Sequence, residues 1–209
     1  MSAKGECSKH GHGHGYGHKK KLYKRLFYSL LAIIILIILT IFIIWLVLRP
    51  TKPTFTLQDA TIYQLNATSP NTLSTTLQVT LSSRNPNNRI GIYYDLLQVY
   101  ASYHDQQITL PSALPASYLG NNDLTLWSPF LYGTTIPVAP FVAAALSQEE
   151  DAGSIVITVM VDGKLRWKVG TWVSGHYHVY VSCPAYVAYD SRGGTWLRLQ
   201  QTVGCSTDV

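Results

Sequence analysis

Imidazole, thiol, amide and clustered cations are the chemically capable side chains of this sequence, and the spacing of each limits what it can do. His10, His12, His14 and His18 lie within the glycine-rich string HGHGHGYGH. Such imidazoles can chelate a soft divalent ion. Without fixed geometry or supporting partners, the expected state is a solvated tail with no resident metal. Elsewhere His104, His176 and His178 stand apart from any G-x-S-x-G, H-E-x-x-H, phosphate-loop or dinucleotide fingerprint. Asp95 and Asp105 are isolated, and Glu149, Glu150 and Asp151 form a run typical of a solvated loop. Catalysis needs a nucleophile beside a base, a carboxylate pair or converging ligands. None is visible, so neither an enzyme nor a cofactor is expected.

Three other features are more specific. Lys164, Arg166 and Lys168 alternate with Leu165, Trp167 and Val169, which puts three cations on one strand face. If the turn that follows is a hairpin, His176 and His178 lie on the neighbouring strand. Such a stripe either meets an anionic partner (pectic polysaccharide, lipid headgroups or an acidic protein surface) or keeps an exposed edge strand from aggregating. Asn66-Ala67-Thr68 is the only N-x-[ST] sequon, so Asn66 is the candidate glycosylation site. Of the three cysteines, Cys7 sits in the tail and is expected as a free thiol, with palmitoylation the alternative. Cys183 keeps step with Tyr177, Val179 and Val181 on one strand face, aimed at a core. Cys205 is its expected disulfide partner in an oxidising compartment.

The elements that must position these residues follow from hydropathy and charge. The chain has 209 residues, 47% hydrophobic and 13% charged, enough for one ordinary core plus appendages. Leu26 to Leu48 carries no charge and is apolar all round. As a helix it spans about 34 Å, enough to cross a bilayer. A cleavable signal would end in small residues after a shorter apolar run. Here the run leads into Trp45, Leu46, Val47, Leu48, Arg49 and Pro50, so the segment is expected to remain as an anchor.

Residues 1–25 hold seven Lys or Arg against one Glu, whereas residues 49–209 hold nine against ten Asp or Glu. The basic balance therefore belongs to the tail, which argues against a nucleic-acid-binding fold. It also orients the helix with its N-terminus cytoplasmic and the C-terminal domain outside. Three parts are expected: residues 1–25 as a disordered Gly/His/Lys-rich tail, 26–48 as a transmembrane helix and 49–209 as an extracytoplasmic domain.

In that domain Leu73, Thr75, Leu77, Val79 and Leu81 alternate with Ser74, Thr76, Gln78, Thr80 and Ser82, the period of a half-buried strand. Further strands are expected over Phe55–Leu65, Ile90–Tyr103, Leu124–Ile136, Ile155–Val169, Gly175–Ser182 and Trp196–Val203, with a short helix near Phe141–Leu146. About seven strands and so little helix indicate an all-β antiparallel sandwich. Asn85-Pro86-Asn87-Asn88 reads as a turn, and Tyr93 and Tyr94 as opposite faces of the strand after it.

Four segments carry a resemblance: LRPTKPTFTLQDATIY, LSSRNPNNRIGIYYD, WSPFLYGTTIPVAPF, and RWKVGTW with HYHVYVSCPAY. Together they resemble the plant harpin-induced, non-race-specific-disease-resistance-like family, whose domain is of the group 2 late-embryogenesis-abundant type. Asn85-Pro86-Asn87 with Tyr93-Tyr94-Asp95 is the most specific signature. The resemblance implies an immunoglobulin-like or fibronectin-III-like sandwich, plasma-membrane residence and roles in pathogen response, stress and senescence. The hydrophobic tail that some members exchange for a lipid anchor is absent from Val203 to Val209, so the helix is the expected anchor. The Asn-Gly-Asp string of some relatives is also absent, Asn121-Asn122-Asp123 being nearest. Two functions are carried forward: a membrane accessory or adaptor contacting proteins or cell wall, and a lipid-handling or membrane-protecting module. A filled core would favour the first and a contiguous apolar cavity the second.

Overall fold

The computed structural model describes residues 16–47, 50–69, 72–189 and 196–209, which form two compact units dividing between Arg49 and Pro50. The first unit is one helix, α1 (Tyr16–Val47), whose stretch Tyr23–Ile43 is long and apolar enough to cross a membrane. The helix starts earlier than the sequence suggested. Residues 16–25, expected to be disordered, are helical, because Lys and Arg are good helix formers and extending a helix is far cheaper than nucleating one. The expected tail over 1–15, with Cys7, His10, His12 and His14, lies outside the described residues.

The second unit is all-β apart from one helix. Its order is β1 (Thr54–Ser69), β2 (Thr72–Arg84), β3 (Gly91–Tyr103), β4 (Gln106–Gln107), β5 (Ser112–Leu114), β6 (Ser117–Leu119), β7 (Leu124–Trp127) and β8 (Phe130–Pro137). Then come α2 (Pro140–Asp151), β9 (Ser154–Val169), β10 (Trp172–Val173), β11 (Tyr177–Tyr189), β12 (Leu197–Leu199), β13 (Val203–Gly204) and β14 (Ser206–Asp208). The strands form one curled antiparallel sheet in the order β4-β3-β9-β11-β12-β1-β2-β7. Phe55 of β1 and Trp127 of β7 both pack edge-on against Tyr94 of β3, so the curl closes two layers over one core. That core is a continuous cluster running from Phe55 to Leu197.

Among the described residues fourteen strands replace the expected seven, because turn chemistry divides the longer runs. Leu124–Ile136 breaks at Ser128-Pro129, a residue that cannot donate to a ladder. Trp196–Val203 breaks into β12 and β13. Where β11 was expected to stop at Ser182 it continues to Tyr189, with Pro184 lying between the stretches that pair with β14 and β12. The β3–β4 hairpin turns on His104 and Asp105, both at positive φ (45° and 61°), the two-residue turn that matches strand twist. In β2 the predicted alternation holds from Leu73 to Leu81, with Leu73, Thr75, Leu77, Val79 and Leu81 buried, and ends at Ser82, which was expected on the wet face and is buried.

Candidate functional site

The loop before β3 is built inward. Asn85 is fully buried, and its Nδ2 donates to Ile90 O at 2.7 Å and Gly120 O at 2.8 Å. Its Oδ1 accepts from the backbone N–H of Asn87 at 3.1 Å and from Asn87 Nδ2 at 2.9 Å. Asn87 in turn clasps the start of the domain, donating to Thr51 O and accepting from Thr51 N–H, both at 2.8 Å. Asparagine suits the position because one amide both donates and accepts, satisfying buried backbone groups on either side. The Asn85-Pro86-Asn87 signature is thus a clamp within the fold.

The tyrosine pair divides as expected. Tyr94 points into the core, where its hydroxyl shares a 2.7 Å hydrogen bond with Ser83 Oγ and burial pushes its ionisation well upward. Tyr93 points outward, its ring 4.6 Å from that of Tyr118. Lys168 lies over both rings, 5.6 Å from Tyr93 and 5.0 Å from Tyr118, and donates to the Tyr93 hydroxyl at 3.3 Å. That hydroxyl raises the affinity of the ammonium for its proton.

Asp95 sits at a bulge, where the β3–β9 register slips between Tyr94 and Leu96. The kink aims its carboxylate at Arg166, which donates from Nε at 2.7 Å and Nη2 at 2.5 Å. His176 Nε2 stands 3.6 Å away on the other side. The bidentate hydrogen bonds from Arg166 hold the Asp95 carboxyl below its ordinary range, against a partial desolvation. Opposite the bulge, Gly163 admits the β3 backbone: a Cβ there would lie 2.0 Å from Leu96 O.

These contacts correct the reading of the cationic stripe. Arg166 is ion-paired and Lys168 is engaged by two rings, so of the three only Lys164 is left exposed. Lys164 and His178, which face each other across β9 and β11, line a shallow hollow of about 120 Å³. Nor does the stripe guard an edge. β9 is an interior strand, paired with β3 on one side and β11 on the other. Sequence reasoning missed the acidic partner because Asp95 is 71 residues from Arg166 and faces it only through a bulge.

Cys183 is fully buried and bonded to Cys205, with the two Cα atoms 4.4 Å apart, as expected from its place on β11. Cys205 is delivered by β13 and β14, and its N–H donates to Phe55 O at 3.0 Å. Asn66 is exposed on β1, opposite Ser74 of β2. It borders a concavity of about 300 Å³ lined also by Tyr63, Tyr189 and Leu197.

Comparison with known proteins extends this picture. Residues 80–184 match the family model described as Late embryogenesis abundant protein (LEA_2). The chain is 45% identical to NDR1/HIN1-like protein 1 of Arabidopsis thaliana, over 98% of this chain and 99% of that protein. It is 48% identical to NDR1/HIN1-like protein 12 of the same plant, over 76% of this chain and 75% of the relative. A solution structure described as a late embryogenesis abundant protein aligns over 88% of this chain and 97% of its own at 17% identity, with a TM-score of 0.33.

Proposed function

Because the chain belongs to the NDR1/HIN1-like family and carries its late-embryogenesis-abundant domain, we propose that it is a non-enzymatic accessory or adaptor protein of plant defence and stress responses. It works at the plasma membrane through protein or cell-wall contact. In this reading α1 is the single span, the N-terminus is cytoplasmic and the β-domain is extracellular, with Asn66 its glycan acceptor. The observation that carries the proposal is the inward commitment of the signature residues. Asn85 and Asn87 clamp backbone, Tyr94 fills core and Asp95 neutralises Arg166. The wide outer faces of the sheet are then the surfaces left for contact.

The filled core also supports contact over lipid handling. A lipid carrier needs a contiguous apolar hollow, and here the interior is one packed cluster, with the 300 and 120 Å³ hollows bordered by exposed residues such as Asn66 and Lys164. A promiscuous biotin ligase fused to the C-terminus in plant cells tests the reading. Biotinylated neighbours drawn from cell-surface and wall proteins are expected. A neighbour set confined to cytosolic proteins would overturn both placement and role.

A further inference from the structure

On the β1–β2–β8 layer, away from the Asp95–Arg166 pair, lies a row of exposed aromatic rings: Trp196, Tyr63, Phe130 and Tyr132, each between 39% and 54% exposed. Successive ring centroids stand 5.3, 6.1 and 6.2 Å apart. The planes of Tyr63 and Phe130 differ by 33° and those of Phe130 and Tyr132 by 17°, whereas Trp196 stands edge-on to Tyr63 at 66°. The row is set by register. Phe130 and Tyr132 are alternate residues of β8, facing Gln78 and Thr76 of β2, and Tyr63 is carried at a bulge of β1. Gln78 is interleaved among the rings, its Oε1 accepting from the Tyr63 hydroxyl at 3.1 Å. Thr80 and Ser128 continue the surface as a hydroxyl pair 3.0 Å apart. At the margin, Asp59 is neutralised by Arg198 at 3.7 Å.

Large exposed rings in a contiguous row are an informative departure from an ordinary surface. The surrounding chemistry narrows the occupant. Nucleic acid or an anionic lipid surface would need cations beside the rings. A polar polymer with apolar C–H faces needs what this surface offers: π faces to stack on, with amides and hydroxyls that both donate and accept. The ring spacing is also close to the length of one pyranose unit in an extended chain. We propose that the Trp196–Tyr63–Phe130–Tyr132 row is a binding platform for a neutral, extended β-linked glycan. The inference deepens the wall-contact reading above and rests on it for biological setting, but the binding itself does not depend on membrane topology.

The test uses the full chain in nanodiscs of zwitterionic lipid, titrated by calorimetry with cellohexaose, laminarihexaose and, as the charged comparison, oligogalacturonate. A neutral hexaose is expected to bind. Tyr132→Ala and Phe130→Ala should each weaken that binding at least about tenfold, while Tyr132→Phe, which keeps the ring, and Lys164→Gln should leave it within about twofold. Unchanged thermal midpoints in the variants show that the fold is intact. Failure of every neutral hexaose to bind overturns the proposal. So does binding indifferent to Tyr132→Ala, or self-association abolished by Tyr132→Ala without glycan binding, which would assign the row to a second copy of the chain. None of these outcomes affects the neighbour set found by proximity labelling, so the two readings fail separately.

Discussion

The Asp95 carboxylate accepts two hydrogen bonds from one guanidinium, and this gives the contact a pH dependence of defined sign. Its folded-state ionisation is depressed, so the stabilisation is complete above the ordinary carboxylate value of about 3.9 and is lost as pH falls through the lower folded value. Asp95→Asn should therefore lower the thermal midpoint at neutral pH and flatten its acid limb. The difference between wild type and variant should shrink steadily as pH drops below about 4. A difference that stays constant down to strongly acid pH would show that the carboxylate charge plays no part. The basic residues of the stripe were legible in sequence as a set, whereas their partners were not. Alternation reveals which face a residue takes, but only the folded register shows that Asp95 and Tyr93 meet Arg166 and Lys168 there.

Strands impose constraints that no single side chain reveals. The β3 bulge fits against β9 only because position 163 has no Cβ. Gly163→Ala would drive a methyl group into the Leu96 carbonyl and should cost about 3 kcal/mol, read as a shift in denaturant midpoint. Gly175→Ala, where a Cβ would have no neighbour within 4 Å, is the control and should change stability by less than about 0.5 kcal/mol. The disulfide acts on the same scale, fastening the C-terminal strands β13 and β14 to β11 across 22 residues. Cys205→Ser should destabilise the domain by about 2 to 5 kcal/mol and lower its abundance at the membrane. An unchanged midpoint with and without reductant would refute that. The disulfide could be anticipated because Cys183 keeps the period of Val179 and Val181. The division of Leu124–Ile136 and the two-residue turn at His104 and Asp105 depend on local backbone geometry, which apolar periodicity does not encode.

For the molecule as a whole, the charge asymmetry between residues 1–25 and the rest makes topology the decisive measurement. Protease added outside intact cells should digest a C-terminal tag and spare an N-terminal one. Loss of the N-terminal tag instead would reverse the orientation. Asn66→Gln should abolish any mobility change produced by a glycosidase, and a change that survives the substitution would locate the glycan elsewhere. The sandwich and an apolar helix long enough to cross a membrane were both legible from hydropathy, because each is a property of many residues at once. The clamp of Asn87 on Thr51 was not legible, since it joins an amide to backbone atoms 36 residues earlier. That clamp has a mechanical consequence. If α1 is held in lipid as proposed, tension carried along the chain reaches Thr51 before it reaches the sheet, and must break two hydrogen bonds to Asn87 before pulling on β1. A pull along β1 then loads its rungs to β2 in shear, from Thr54 to Ser69, so that they yield together and not one by one. On that proposal the asparagine would act as a strain relief at the start of the β-domain.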